Sequence, residues 1–141
     1  ADCDLIGLGV TSIAKMDNTY AQNHRGLEEY YASIDAGTLA VARGVELSRD
    51  DEIRRDVITR LICNFALDFA EIEGAWGLDF SEYFADALPA LRPMEEDGLL
   101  DVGPQGIRVL PRGRLLIRNI CMVFDGYLSA KKGAVGFSKV I

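Results

Sequence analysis

The sequence predicts a mainly α-helical domain with one β-hairpin, winged-helix-like in its order, preceded by a short strand and loop. Three observations carry that prediction. Apolar residues recur at helical spacing at Ile53, Val57, Ile58, Leu61, Ile62 and Phe65, behind a capping pair at Ser48 and Asp51. Residues 99–102 and 107–110 flank the turn Gly103-Pro-Gln-Gly106 and read as strand, turn, strand, with Leu100, Val102, Ile107 and Val109 on one face. A final stripe of Leu115, Leu116, Ile120, Val123, Phe124, Tyr127 and Leu128 follows Pro111 as a single helix. The order over about 48–128 is therefore helix, helix, helix, hairpin, helix.

Taken in chain order, residues 4–13 read as a short buried strand running into a glycine-bearing loop. Gly7 and Gly9 are followed by Ser12, so the GxGxxG pattern of a dinucleotide site is not met. A lone strand cannot satisfy its edges, so further chain upstream of Ala1 is expected. Residues 18–24 read as a polar segment. Residues 27–35 form a short helix stopped by Gly37, and 38–47 look extended. The helix from Ser48 carries Asp51–Arg55 and Asp56–Arg60 as i,i+4 pairs. A second short helix covers 69–76 and breaks at Gly77. Asp79 and Glu82 cap a third helix, which is kinked by Pro89 and Pro93 and ended by Gly98. The last dozen residues, with glycines at 133 and 136, read as a tail. Three segments result: 1–47, 48–128 and 129–141.

The 141 residues include 49% hydrophobic and 26% charged side chains, a composition that excludes a disordered chain. No apolar run approaches the ~20 residues that span a bilayer. The net charge of −7 is uneven, with 8 basic and 20 acidic residues up to position 100 and 7 basic and 2 acidic after it. The basic set is Arg108, Arg112, Arg114, Arg118, Lys131, Lys132 and Lys139, which suits an anionic partner or a solvated surface. Cys3, Cys63 and Cys121 form no CxxC or Cys/His cluster, so no zinc or iron–sulfur site is expected from local motifs. Free cysteines inside apolar patterns fit a reducing cytoplasm. A winged helix that read DNA would carry basic residues on its third helix. Here that segment holds Asp79, Glu82, Asp86, Glu95, Glu96 and Asp97 against Arg92, so nucleic acid is not expected as a partner. No nucleophile–base pair, metal-ligand motif or phosphate loop appears, and no residue is singled out as catalytic.

Several stretches together resemble the C-terminal third of the oxygen-independent coproporphyrinogen III oxidase (dehydrogenase) family. They are Leu5-Ile-Gly-Leu-Gly-Val-Thr-Ser-Ile13, Tyr20-Ala-Gln-Asn23, Asp50-Asp51-Glu-Ile-Arg-Arg-Asp-Val-Ile58 and Leu61-Ile-Cys-Asn64. Gly113-Arg-Leu-Leu-Ile-Arg-Asn-Ile-Cys-Met122 and Phe137-Ser-Lys-Val-Ile141 complete the set. The resemblance implies a radical S-adenosylmethionine (SAM) enzyme of haem biosynthesis. Such an enzyme converts two propionates of coproporphyrinogen III to vinyl groups and yields protoporphyrinogen IX. It implies SAM and a [4Fe-4S] cluster as cofactors, with the CxxxCxxC cluster ligands upstream and absent from this chain.

On that resemblance, residues 1–47 hold the last strand, active-site loop and connecting segment of a radical SAM partial barrel, and 48–128 form its accessory lid. Gly9, Thr11, Ser12 and Ile13 then border SAM. Tyr20, Gln22 and Asn23 border the substrate, and Arg112, Arg114 and Arg118 steer or cover its carboxylates. The implied partners are the missing N-terminal barrel, coproporphyrinogen III and an electron donor of unknown identity. The isolated chain is expected to be inactive. A stand-alone winged-helix module binding protein or nucleic acid is the alternative of a different class. A related haem-trafficking radical SAM protein is the nearer one, and the 48–64 and 113–122 stretches argue against it.

Overall fold

A computed structural model describes residues 3–130. It is a mixed α/β structure of short helices and two three-stranded sheets, divided into two compact units that meet in sequence between Glu52 and Ile53.

The first unit is built on antiparallel strands β1 (Ile13–Met16), β2 (Thr19–Asn23) and β3 (Val41–Glu46), in that spatial order. Asp17 and Asn18 make the two-residue hairpin between β1 and β2, and Asp17 takes the positive φ (49°) that such turns require. Helix α1 (Leu27–Asp35) connects β2 to β3 and hands over to Gly37 at φ 71°. The sheet corrects two readings. Residues 4–12 are not a strand: only Leu5 pairs, in an isolated antiparallel bridge to Lys15, and regular strand begins at Ile13. Gly9 (φ 92°) and Thr11 (φ 63°) sit in the left-handed region, which no β-ladder accepts. Conversely, residues 19–23 are the central strand of the sheet. Their polar composition hides this, because pairing on both edges decides it rather than side-chain alternation.

The ladder between β2 and β3 has one irregularity. On β3, Arg43 pairs with Gln22 and Val41 pairs with Asn23, so Ala42 is an extra residue bulged out of the ladder.

Helix α2 (Arg49–Asn64) is entered through a reciprocal cap. The Ser48 backbone N–H donates to Asp51 Oδ2 (2.9 Å) and the Asp51 N–H to Ser48 Oγ (3.2 Å). Phe65 leaves the helix at φ 56° and the chain continues as β4 (Ala66–Asp68). Helices α3 (Phe69–Trp76), α4 (Phe80–Tyr83) and α5 (Leu88–Glu96) follow, then the hairpin β5 (Leu100–Gly103) and β6 (Gly106–Val109). The second sheet has the order β4-β6-β5, so the predicted hairpin gains a third strand. Gly106 permits it: a Cβ there would lie 2.0 Å from the Leu67 carbonyl oxygen. Caps at Asp68 and Asp79 hold the N-termini of α3 and α4 by accepting the Ala70 and Glu82 N–H groups at 2.8 Å.

Two predicted helices are interrupted. The segment after Asp79 splits into α4 and α5, with Pro89 in the first turn of α5 where its missing N–H costs nothing. The last helix splits into a 3₁₀ turn (Gly113–Leu116), α6 (Ile117–Met122) and α7 (Gly126–Ala130). Leu115 is 91% exposed as a result, although it belongs to the predicted stripe. Cys63, also read as core, is exposed, whereas Cys121 is buried. The tail reading for 131–141 falls outside the described residues.

The core of the second unit draws Ile53, Val57 and Leu61 from α2, Phe80 from α4, Leu91 from α5 and Phe124 into one cluster. Phe69 and Phe80 stack at 4.1 Å between centroids, and Phe84 meets Phe124 edge-on at 5.3 Å. Around it, Asp56 accepts hydrogen bonds from Trp76 Nε1 (3.0 Å) and Arg60 Nε (2.8 Å), and Arg60 also pairs with Glu71.

Candidate functional site

The sequence-predicted residues of the first unit converge on one face of its sheet and on the loop that leads into it. Asn23 is the keystone of that loop. Its side-chain amide donates to the carbonyls of Gly9 (2.9 Å) and Gly7 (3.3 Å), and its own N–H donates to the Ser12 carbonyl (2.9 Å). Gln22 Nε2 donates to the Thr11 carbonyl at 3.3 Å, and the Thr11 N–H donates to the His24 carbonyl at 2.9 Å. Tyr30 from α1 accepts the Gly9 N–H through its hydroxyl at 3.2 Å. Residues 7–12 are thereby fixed from three directions in a conformation that includes two left-handed residues. Gly7 is required for the fit, since a Cβ there would come within 2.9 Å of the Ile13 carbonyl and the Ser12 side chain.

Beside the loop lies an open groove of about 460 Å³ lined by Ile13, Tyr20, Ala21, Gln22, Arg43, Gly44 and Val45. Three of these, Ile13, Tyr20 and Gln22, are site residues that the sequence predicts. Arg43 is not. It sits in a stretch with no motif, and only the pairing of β3 with β2 brings it to Gln22, whose Oε1 accepts from Arg43 Nε at 2.9 Å and from Nη2 at 2.6 Å.

Arg112, Arg114 and Arg118 belong to the second unit and are exposed there. Arg114 lies over the Phe65 ring at 4.9 Å, a cation–π contact that holds part of its side chain against its own unit.

Three comparisons place this architecture among known proteins. Residues 47–116 match the model of the HemN C-terminal domain. The chain is 53% identical over 140 residues to the oxygen-independent coproporphyrinogen III oxidase of Escherichia coli K12, covering 99% of this chain and 31% of that protein. The Pseudomonas aeruginosa protein of the same name is 45% identical, covering 99% of this chain and 30% of its own length. The solved structure of E. coli coproporphyrinogen III oxidase (HemN), described as a radical SAM enzyme, superposes with a TM-score of 0.85 at 53% identity. That superposition covers 89% of this chain and 29% of that one. The chain belongs to the HemN family.

The HemN C-terminal domain match runs from the end of β3 to the 3₁₀ turn and so contains α2 to β6. The chain spans about 31% of the length of the HemN relatives from E. coli and Salmonella that it matches. No group of three or more His, Cys, Asp or Glu stands close enough to hold a metal ion among the described residues. Burial pushes the Cys121 thiol up to about 11, which keeps it protonated and unreactive at neutral pH. The described residues, with Cys3, Cys63 and Cys121 far apart in sequence and Cys121 buried, do not suit an iron–sulfur cluster.

Proposed function

We propose that the chain is the C-terminal part of an oxygen-independent coproporphyrinogen III oxidase, a cytoplasmic enzyme that decarboxylates two propionates of coproporphyrinogen III to vinyl groups. In this reading the isolated chain is inactive. It needs an N-terminal radical SAM barrel that carries the [4Fe-4S] cluster, together with an electron donor. The observation that carries the proposal is the clamped loop at 7–12 beside the groove at Ile13. The loop fixes the approach to Ile13, and at about 460 Å³ the groove falls in the range of small-molecule sites.

Gly9, Thr11, Ser12 and Ile13 would form one edge of a SAM site, and the chemistry SAM supplies when bound is hydrogen abstraction from the propionate. Asn23 positions that edge through its two carbonyl contacts. Tyr20 and Gln22 would border the substrate, Tyr20 with its aromatic face and Gln22 through the groups that its amide holds. Arg112, Arg114 and Arg118 supply positive charge toward its carboxylates.

Residues 48–128 would serve as a winged-helix-like lid that excludes water from a radical reaction. The sheet order β4-β6-β5 and the succession α2, β4, α3, α4/α5, β5, β6 support that architecture. The acidic side chains Glu95, Glu96 and Asp97 at the end of α5 oppose a nucleic-acid role for it.

The decisive experiment replaces the matching C-terminal segment of the E. coli enzyme with this chain. The chimera should bind SAM and release protoporphyrinogen IX under anaerobic reduction, while the E. coli enzyme truncated before the segment should not. A chimera that folds, carries its cluster and binds SAM but gives no product would overturn the proposal.

A further inference from the structure

The groove of the first unit holds a cation to which the proposed function gives no role. Ile13 pairs with Gln22 across β1 and β2, and Gln22 pairs with Arg43 across β2 and β3, so the three form one row of neighbours on a single face. Lys15, Tyr20 and Val45 form the next row on that face. Gln22 and Arg43 close the regular register that runs from Thr19 and Glu46, and the extra residue Ala42 breaks the ladder just beyond them, setting Val41 opposite Asn23. The face thus offers an apolar and aromatic floor of Ile13, Tyr20 and Val45 with one guanidinium at its rim.

The guanidinium is held but not neutralised. Gln22 Oε1, a neutral acceptor, takes one bond from Nε and one from Nη2. Of an arginine's five N–H groups, those on Nη1 and one on Nη2 remain, which is the two-pronged end that matches a carboxylate. No carboxylate lies within ion-pairing reach of Arg43 among the described residues. An acidic residue at position 22 would have locked the arginine in an ion pair, whereas glutamine orients it and leaves its charge for a ligand.

We infer that Arg43, oriented by Gln22, is a carboxylate-binding subsite for a ligand whose apolar body lies on Ile13, Tyr20 and Val45. The inference rests on the proposed oxidase function, in which two ligands bring such a group: a propionate of the porphyrinogen and the amino-acid carboxylate of SAM. Arg43 would touch the ligand, and Gln22 is its positioning residue.

The test uses full-length enzyme carrying this chain and measures equilibrium binding of coproporphyrin III and of SAM separately, without turnover. Arg43→Met should weaken one of the two ligands about tenfold or more, and the ligand affected identifies the source of the carboxylate. Arg43→Lys should recover part of the loss, because it keeps the charge without the fork. Gln22→Glu keeps the acceptor but neutralises the guanidinium, so it should weaken the same ligand. Because Gln22→Glu also loses the Nε2 bond to the Thr11 carbonyl, its effect should vanish in the Arg43→Met background, whereas a loss through the loop would persist there. Both affinities staying within twofold of the unmodified enzyme in Arg43→Met would overturn the inference, as would an unaffected Gln22→Glu. A failure of the enzymatic reading shows itself elsewhere, as an absence of turnover in the unmodified protein.

Discussion

The two units of this chain use apolar residues in opposite ways. The second buries fifteen hydrophobic side chains in one cluster, among them Phe80, Phe84, Leu61 and Ile120 with no accessible surface to speak of. The first buries only Ala40 among its described residues, while Leu5, Ile6, Leu8, Leu27 and Leu39 stand 60% exposed or more. Its hydrophobic residues are therefore not there to hold it together. Hydrogen bonds do that work: the sheet ladder, the Asn23 clamp and the Tyr30 hydroxyl. Net stabilisation from such bonds is modest, about 1 kcal/mol each, whereas each large core side chain contributes several times more.

The contrast is broken most directly by truncating a large side chain in each unit. Phe80→Ala should cost about 3–5 kcal/mol, since its ring is fully buried and stacked on Phe69. Leu39→Ala should change stability by less than about 0.5 kcal/mol. Urea denaturation reads both, followed by the fluorescence of the single tryptophan, Trp76, for the second unit and by far-UV circular dichroism for the whole chain. Equal costs would dissolve the distinction.

A smaller effect comes from Cys121. Its folded-state pKa is raised from 9.0 to about 11 by burial, so the unfolded chain loses this proton first. Stability is then fully present below pH 9 and falls as pH rises from about 9 toward 11, by about 2 kcal/mol. Urea midpoints across that window should show the decline in the wild-type chain and a shallower one in Cys121→Ala. In the folded protein at pH 8, the exposed Cys63 should react with a thiol reagent while Cys121 stays protected.

The smallest effect separates the caps. Asp79→Ala should cost about 1 kcal/mol by releasing the Glu82 N–H. Helix α1 of the first unit enters at Gly26 with no side-chain cap, so Gly26→Ala has no such bond to lose. Denaturation midpoints of the Asp79 variant check the sign.

The same division explains what is legible in the sequence. Helices α2 and α3 and the β5–β6 hairpin announce themselves, because their signals are local: an apolar period, a capping pair, a glycine at the end. The family resemblance and the cluster at Ile13, Tyr20, Gln22 and Asn23 are likewise in view. What escapes is fixed by pairing at a distance. β4 is only three residues long and exists because β6 lies beside it, and β2 looks like a polar loop until both its edges are satisfied. Arg43 escapes for that reason too, since nothing in residues 38–47 marks it and only the register across β2 gives it a neighbour. The left-handed turns at Thr11 and Phe65 also carry no sequence mark, neither being glycine.

Gly106 shows how narrow the tolerance of a well-filled unit can be. One missing carbon lets the β6 backbone come against Leu67, so the smallest chiral side chain would already be too large. The sheet keeps its third strand only while residue 106 has no side chain.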